Sequence, residues 1–464
     1  MEKMMYQNRK EIRIGIIITF IQFLLWLPVF LAYYPGIYTY DVLWQMLQGS
    51  YVNYNTHYPL VHTLWLQFFY NIVGEKWLGN YNTGVAISTL LQMLFFSFCL
   101  SYIYLFFKKI NIRKSVCVLW VILVGMFPLF PLMAISSTKD IFFSGMFVVL
   151  FVSICMDIVD EKYFAEHKMS QMIYVISIVG VILLRNNGIY PVLFLVIVYA
   201  IRYMKNKDSY RLKKTTIGIV VGLCISTALQ YGLKAEKGSI NEALSLPYQQ
   251  LACAYKEHSD KMAQGEIENI IYFIPDVEHY NPRISDNIKN SGNASSNLKK
   301  FVQTYIKEGL RFPKSYLKAF YELDIDYLNP IDTSLAYIYE TDELRGVIPT
   351  GIISGMQVER QSFFPKLEQL YDRLFKENGY EKNILLRLGM SPATYLWSIM
   401  AIAIISLLQK NRRMIVLIGY LAVYILTLLA GPCVLLRYAL PYILCVPVIV
   451  ACSICNHRNE CNMT

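Results

Sequence analysis

The residues able to do chemistry in this chain are few, ionisable and widely spaced. Asp41 ends the stretch "YYPGIYTYD", a lone carboxylate among aromatics just after an apolar run. His57 and His62 follow in "THYPLVHTLW", and Lys139 and Asp140 close "STKD". Arg185, Asn186 and Asn187 interrupt an apolar stretch in "LRNNGIY", and Arg437 lies in "LLRYALPYILCVP". Guanidinium and ammonium groups hold a phosphate, and a nearby carboxylate takes a proton from an attacking hydroxyl or holds a divalent cation such as Mg or Mn. Such a set suits transfer from an anionic lipid, if the fold brings both signs of charge together.

The composition says what kind of fold must do so. The chain has 464 residues, 55% of them hydrophobic and 16% charged, with a mean hydropathy of +0.37. These values lie outside the range of soluble domains and describe a multi-pass membrane protein. Apolar runs of about 20 residues, enough to cross a bilayer core, recur along the chain. The first, 14–31, lacks a small-residue cleavage site and reads as a retained span. The net charge of +10 sits in short clusters between apolar runs, so it reports topology and not nucleic-acid binding. Most of the ten cysteines lie in apolar runs, where they act as small hydrophobes. Cys452, Cys455 and His457 are an incomplete ligand set, so no metal site is assigned.

Basic clusters face the cytoplasm, and an even number of crossings must separate each neighbouring pair. The clusters are Lys3/Arg9/Lys10/Arg13, Lys108/Lys109/Arg113/Lys114, Arg202/Lys205/Lys207/Arg211/Lys213/Lys214 and Lys410/Arg412/Arg413. Between the first two lie spans 14–31 and 85–107, which makes the segment between them external. Within it, "PLVHTLWLQFFYNIVG" must be an interfacial or re-entrant helix and not a crossing. Spans 116–135 and 141–158 follow, with Lys139 and Asp140 at the external surface. Parity then makes 172–204 a hairpin of two short helices of about 13 residues each, its tip "RNNG" below the outer surface, against protein or a water-filled cavity. A span at 215–232 leads to a polar external region, and three final spans return the C-terminus to the cytoplasm.

The fold expected is therefore all-α, with about ten transmembrane helices and a mostly helical external domain. Residues 1–233 form an N-terminal transmembrane domain with a first external loop at 34–82. Residues 234–390 form the external domain, where "FFPKLEQLYDRLFKE" has helical spacing, and 391–464 the last helices. This topology puts Asp41, His57, His62, Lys139, Asp140, Arg185, Asn186, Asn187 and Arg437 on one face. Each also has a structural reading. Asp41 alone is equally a helix N-cap, a single His a hydrogen-bonded structural residue, Lys139 and Asp140 an ion pair at a helix start, and Arg437 a snorkelling cation. Arg185 resists such a reading, because it lies amid an apolar stretch, beside two asparagines, in a hairpin whose tip must be buried in the protein.

On these motifs the sequence resembles the GT-C superfamily, integral-membrane glycosyltransferases that use polyprenyl-phosphate-linked sugars, and within it an uncharacterised bacterial branch. The resemblance covers the membrane part, about two-thirds of the chain. It implies that Asp41 is the catalytic base or a metal contact and that Lys139, Arg185 and Arg437 bind the donor phosphate, with the remaining polar residues binding substrate. Many members pair two acidic residues in the first loop, whereas here Val42 follows Asp41. The expectation is an extracytoplasmic transferase that moves a sugar to a cell-envelope glycan, lipid or protein acceptor. A transporter or flippase of lipid-linked sugar, and a polysaccharide polymerase or ligase, share most of these features. The chain has no internal repeat and its charges favour one face, unlike many transporters.

Overall fold

The computed structural model describes residues 2–331, 358, 360–375 and 379–461, except 39, 51 and 208. Within them the chain is an all-α polytopic membrane protein. The N-terminal part runs α1 (Glu2–Ala32), β1 (Ile37–Tyr38), α2 (Tyr40–Leu47), α3 (Leu60–Gln67), a π-helical stretch (Phe68–Trp77) and α4 (Tyr81–Lys109). It continues with α5 (Lys114–Met126), α6 (Leu129–Ile135), β2 (Ser136–Ser137), α7 (Lys139–Val159), the short α8 (Glu161–Glu166), α9 (Lys168–Leu184), α10 (Ile189–Asn206) and α11 (Tyr210–Gly232). Seven helices among the described residues are long and apolar enough to cross a bilayer, and two further bent pairs have the length together. One such pair is α5 with α6, bent by 52° where Pro128 removes a helix hydrogen bond. The 17-residue α9 is apolar but shorter.

The helix α7 is apolar on every face, and a helix of that kind belongs at a centre. Its Phe143 and Phe147 pack on Tyr424 at 5.7 and 4.8 Å between ring centroids. Helices α9 and α11 run the same way, since Tyr174 meets Thr215, Ile178 meets Gly218 and Ile182 meets Gly222. The connecting α10 therefore runs back, as the hairpin reading requires, although its arms have 17 and 18 residues and not 13. The stretch after Pro59 does not continue straight. It changes from α to π winding and then doubles back onto α4, where Gly74 lies against Gly84.

The polar region supplies α12 (Ser245–His258), α13 (Gln264–Phe273), α14 (Asp286–Lys289), α15 (Leu298–Arg311) and α16 (Pro313–Leu328). These enclose a core of their own that includes Tyr248, Leu251, Phe273, Ile288 and Phe301. The stretch 332–357 of the expected external domain lies outside the described residues. Beyond it, α17 (Pro365–Phe375), a 3₁₀ turn (Gly379–Lys382) and α18 (Ile384–Met390) contribute Tyr371, Phe375, Tyr380 and Met390 to the main core. The backbone of 361–363 is bound to the end of α1 by Gln361 N–H to Tyr34 O and Phe363 N–H to Leu31 O, both 2.9 Å. The chain ends with α19 (Pro392–Leu408), α20 (Arg412–Leu429) and α21 (Leu436–Cys461).

Two small features place the first loop. The two-residue strands pair in parallel, Ile37 with Ser136 and Tyr38 with Ser137, and Gln92 Nε2 donates to Ala134 O and Ser136 O at 2.9 and 2.8 Å to hold the second strand. Before the first strand, Gly36 has φ +135°, and a Cβ there would come within 2.7 Å of Thr89 Oγ1. Only glycine combines that backbone with that contact.

At the other end of α7, Asp157 and Arg211 form a buried pair through Nε and through Nη2 to Oδ1 at 2.8 Å, their side chains 6% and 7% exposed. Removing one partner strands a charge, whereas replacing both with apolar groups does not. Asp157→Ala is expected to cost about 3–5 kcal/mol, and the pair Asp157→Leu with Arg211→Met much less. Thermal unfolding of purified protein in detergent would show this order, and equal losses in both variants would refute it.

Candidate functional site

Five ionisable side chains from four separate segments meet at the end of the bundle where the first loop lies. Parallel pairing of the two strands sets Asp41, in the first turn of α2, beside Lys139, the first residue of α7. Lys139 Nζ donates to Asp41 Oδ2 at 2.7 Å. Arg437, in the first turn of α21, brings Nη2 to the same oxygen at 3.3 Å and Nε to Asp140 Oδ2 at 3.2 Å. Arg185 Nη1 donates to Asp140 Oδ1 at 2.8 Å. The chain of contacts is therefore Lys139, Asp41, Arg437, Asp140, Arg185, in which three cations against two carboxylates leave one positive charge over.

Local sequence accounts for each position. Thr138 caps α7, its hydroxyl donating to Asp140 Oδ2 at 3.1 Å and accepting from Asp140 N–H, and a carboxylate in a first helical turn is favoured by the helix dipole. Arg185 is extended, with φ −157°, at the break between α9 and a single 3₁₀ turn. That break turns its side chain out of the helix path and stacks the guanidinium on Tyr438, 4.2 Å from the ring centroid. Lys139 sits 5.5 Å from the Tyr58 ring centroid, and these aromatic faces add cation–π attraction.

The cluster opens on a cavity of about 1340 Å³. Asp41, Lys139, Arg185 and Arg437 line one wall, with His57, Asn186 and Asn187 nearby. Asn187 Nδ2 donates to Thr427 Oγ1 at 2.8 Å and Asn186 Nδ2 to Thr56 O at 3.2 Å, so the hairpin tip is tied to α20 and to the first loop. Further lining comes from the polar region, with Lys237, Glu242, Asp286 and Lys289. Lys289 bonds Glu242 and sits 2.9 Å from Asp286, and His57 Nδ1 lies 3.8 Å from Glu242 Oε1.

Two of the expected site residues do not reach the cavity. Asp140 is completely buried behind the two guanidiniums and positions them. His62 is 1% exposed, its Nδ1 bonded to Gln45 Oε1 at 3.1 Å and its ring edge-on to Phe142. Gln45 Nε2 donates onward to Thr63 Oγ1, so Gln45 Oε1 accepts from Nδ1–H, and the buried His62 Nε2 has no partner among the described residues. His62 is a neutral packing residue. Conversely, Glu242, Asp286 and Lys289 line the site although nothing in the sequence marked them, because charges are ordinary in a polar region. Tyr438 stood beside Arg437 in a quoted motif, yet only the fold shows Arg185 on its face.

Burial works against the charge of Asp41, but Lys139 and then Arg437 outweigh it and hold the carboxyl well below its ordinary range. Burial, reinforced by Lys139, pulls the His62 imidazole down to about 3. A divalent cation does not fit this donor set. Asp41 Oδ2 is already shared by two cations, and Val42 is fully buried among Tyr38, Met46 and Leu66, so no acidic neighbour is available in the loop. No three His, Cys, Asp or Glu side chains among the described residues come together as ligands. The His457 side chain lies outside the described residues.

A family of unknown function, DUF6020, matches residues 48–463. The chain belongs to the DUF6020 family. The matched region holds Lys139, Asp140, Arg185 and Arg437 and begins after Asp41. No curated protein and no solved structure matches the chain.

Two outcomes follow from this geometry. Asp140→Ala leaves two largely buried guanidiniums facing each other and is expected to cost about 3–5 kcal/mol. Asp41→Asn, at a carboxylate 19% exposed on the cavity wall, is expected to cost clearly less by thermal unfolding. For His62, a folded value near 3 against about 6.5 in the unfolded chain means that unfolding takes up a proton at mildly acid pH. Stability should be level above about pH 6.5 and fall toward pH 3 by up to about 1.4 kcal/mol per pH unit. His62→Gln should remove that part of the slope, and identical acid profiles for the two proteins would contradict it.

Proposed function

We propose that this member of DUF6020 is an extracytoplasmic glycosyltransferase that moves a sugar from a polyprenyl-phosphate donor to a hydroxyl of a cell-envelope acceptor. The observation that carries the reading is a carboxylate held between two cations on the wall of a large cavity that runs out onto apolar membrane helices. From Lys139 and Arg437 the lining continues to Val423 and Leu426 of α20 and Tyr190 of α10. Leu426 is 64% and Tyr190 53% exposed, so the cationic wall adjoins an apolar rim on the outside of the bundle. A ligand with a phosphate head and an apolar tail matches both parts.

In this reading the donor phosphate takes Lys139 and Arg437 as partners, with Arg185 behind them. Asp41 then loses the cations that kept its carboxylate weakly basic and accepts the proton of the acceptor hydroxyl. The hydroxyl oxygen attacks the anomeric carbon from the face opposite the phosphate, the bond from that carbon to the phosphate oxygen breaks, and the configuration inverts. The released polyprenyl phosphate carries an additional negative charge. Three preset cations stabilise that charge more in the transition state than in the bound donor, which is the condition for rate enhancement. The wall from the external region would present the acceptor.

The topology that accompanies this reading has ten crossings. The seven long spans, the two bent pairs and α9 supply them, with both termini in the cytoplasm and the cavity outside. Transfer from a radiolabelled polyprenyl-phosphate sugar, followed with purified protein and a membrane extract as acceptor source, tests the chemistry. Asp41→Asn is expected to lower kcat by about 100-fold or more with little loss of donor binding, while Lys139→Ala and Arg437→Ala raise the donor KM. Equal transfer by wild type and Asp41→Asn would remove Asp41 as the base.

A further inference from the structure

At the opposite end of the bundle from the cavity, a second cavity of about 550 Å³ lies between α5 and α21, beside Phe107 of α4. Arg437 and Val450 are both on α21, thirteen residues apart, so the two cavities are separated by about 20 Å along that helix. Val116, Leu119 and Trp120 of α5 face Val450 and Ile454 of α21, and Arg113 is the one charged residue in the lining. Val116 and Leu119 are 45% and 60% exposed, so the groove is open on the outside of the bundle, where lipid surrounds it.

Two independent observations say what the groove takes. The first is charge. Lys108, Arg113 and Lys114 gather at the turn where α4 passes into α5, all exposed and none with a carboxylate partner among the described residues. The neighbouring Lys109, by contrast, is paired with Asp160 at 3.6 Å. The second is an unmet donor. Trp120 is 7% exposed and its Nε1–H has no acceptor among the described residues, whereas the buried Trp26 donates to Val124 O at 2.9 Å. A buried indole N–H normally finds a partner, and an unpaired donor is costly.

We infer that this groove binds one anionic glycerophospholipid, its phosphate at Arg113, its acyl chain between α5 and α21, and an ester oxygen accepting from Trp120. A glycerophospholipid is favoured over a polyprenyl phosphate because only the former carries ester acceptors below its head. The site is independent of the transferase reading and lies in the other leaflet.

The test uses the full-length protein in detergent micelles, titrated with dibrominated phosphatidylglycerol or dibrominated phosphatidylcholine while tryptophan emission is read. Subtracting the signal of Trp120→Phe isolates Trp120. Half-quenching is expected at a roughly fivefold lower mole fraction of phosphatidylglycerol, the effect of about one cation near a phosphate, and Arg113→Gln should abolish that preference. Native mass spectrometry supplies a readout that does not depend on the tryptophan variant, with one phosphatidylglycerol retained by wild type and lost in Arg113→Gln. Equal quenching by the two lipids would overturn the inference. So would a preference that survives joint replacement of Lys108, Arg113 and Lys114 by Gln, or displacement by polyprenyl phosphate as ready as by unlabelled phosphatidylglycerol.

Discussion

The guanidinium of Arg437 is shared by two carboxylates that the chain keeps far apart, Asp41 in the first turn of the second helix and Asp140 at the start of the seventh. Charges buried inside a membrane bundle are tolerated only when paired and hydrogen-bonded, so this bridge constrains every element that feeds it. The last helix must begin beside the first loop, the first loop must be held against the start of α7, and the hairpin tip must bring Arg185 to the far side of Asp140. The two-residue strand pair and the glutamine that braces it meet the second of these demands. The tie from Asn187 to α20 serves the third.

The bundle also divides its charges by role. Asp140 is wholly buried, and neither guanidinium can leave it without uncovering a charge, although Arg437 reaches it through Nε and turns Nη2 to Asp41. Asp41 faces the cavity with both its cationic partners, where an incoming anion can compete for them. A rigid pair behind and an exchangeable pair in front give a site that is fixed in geometry and still responsive to a ligand. At the opposite end of α7, Asp157 and Arg211 tie the helix to α11, both side chains buried. That pair locks the helices in place.

The polar region plays two parts. Its middle section folds around its own core and lends Glu242 and Lys289 to the cavity, while α17 and α18 merge with the membrane core and clasp the lead-in to Asp41 through Tyr33 and Asp372. Hydropathy marks all of it as polar and so groups it as one unit. The division between the parts depends on which apolar side chains of amphipathic helices meet which partners, and a linear pattern holds no record of that.

By itself the sequence determined the fold class, the sites of most spans, the hairpin around "RNNG" and the gathering of Asp41, Lys139, Asp140, Arg185 and Arg437 at one end. These follow from the cost of placing charge in hydrocarbon and from the parity of crossings, both properties of the chain read in order. Only the tertiary structure decided that Asp140 lies behind the site, that His62 packs without facing the cavity, and that Glu242 and Lys289 complete its lining. It also decided that Val42 points into the core. Those outcomes depend on side-chain direction and on contacts across long separations, where a turn of one residue exchanges a buried position for an open one.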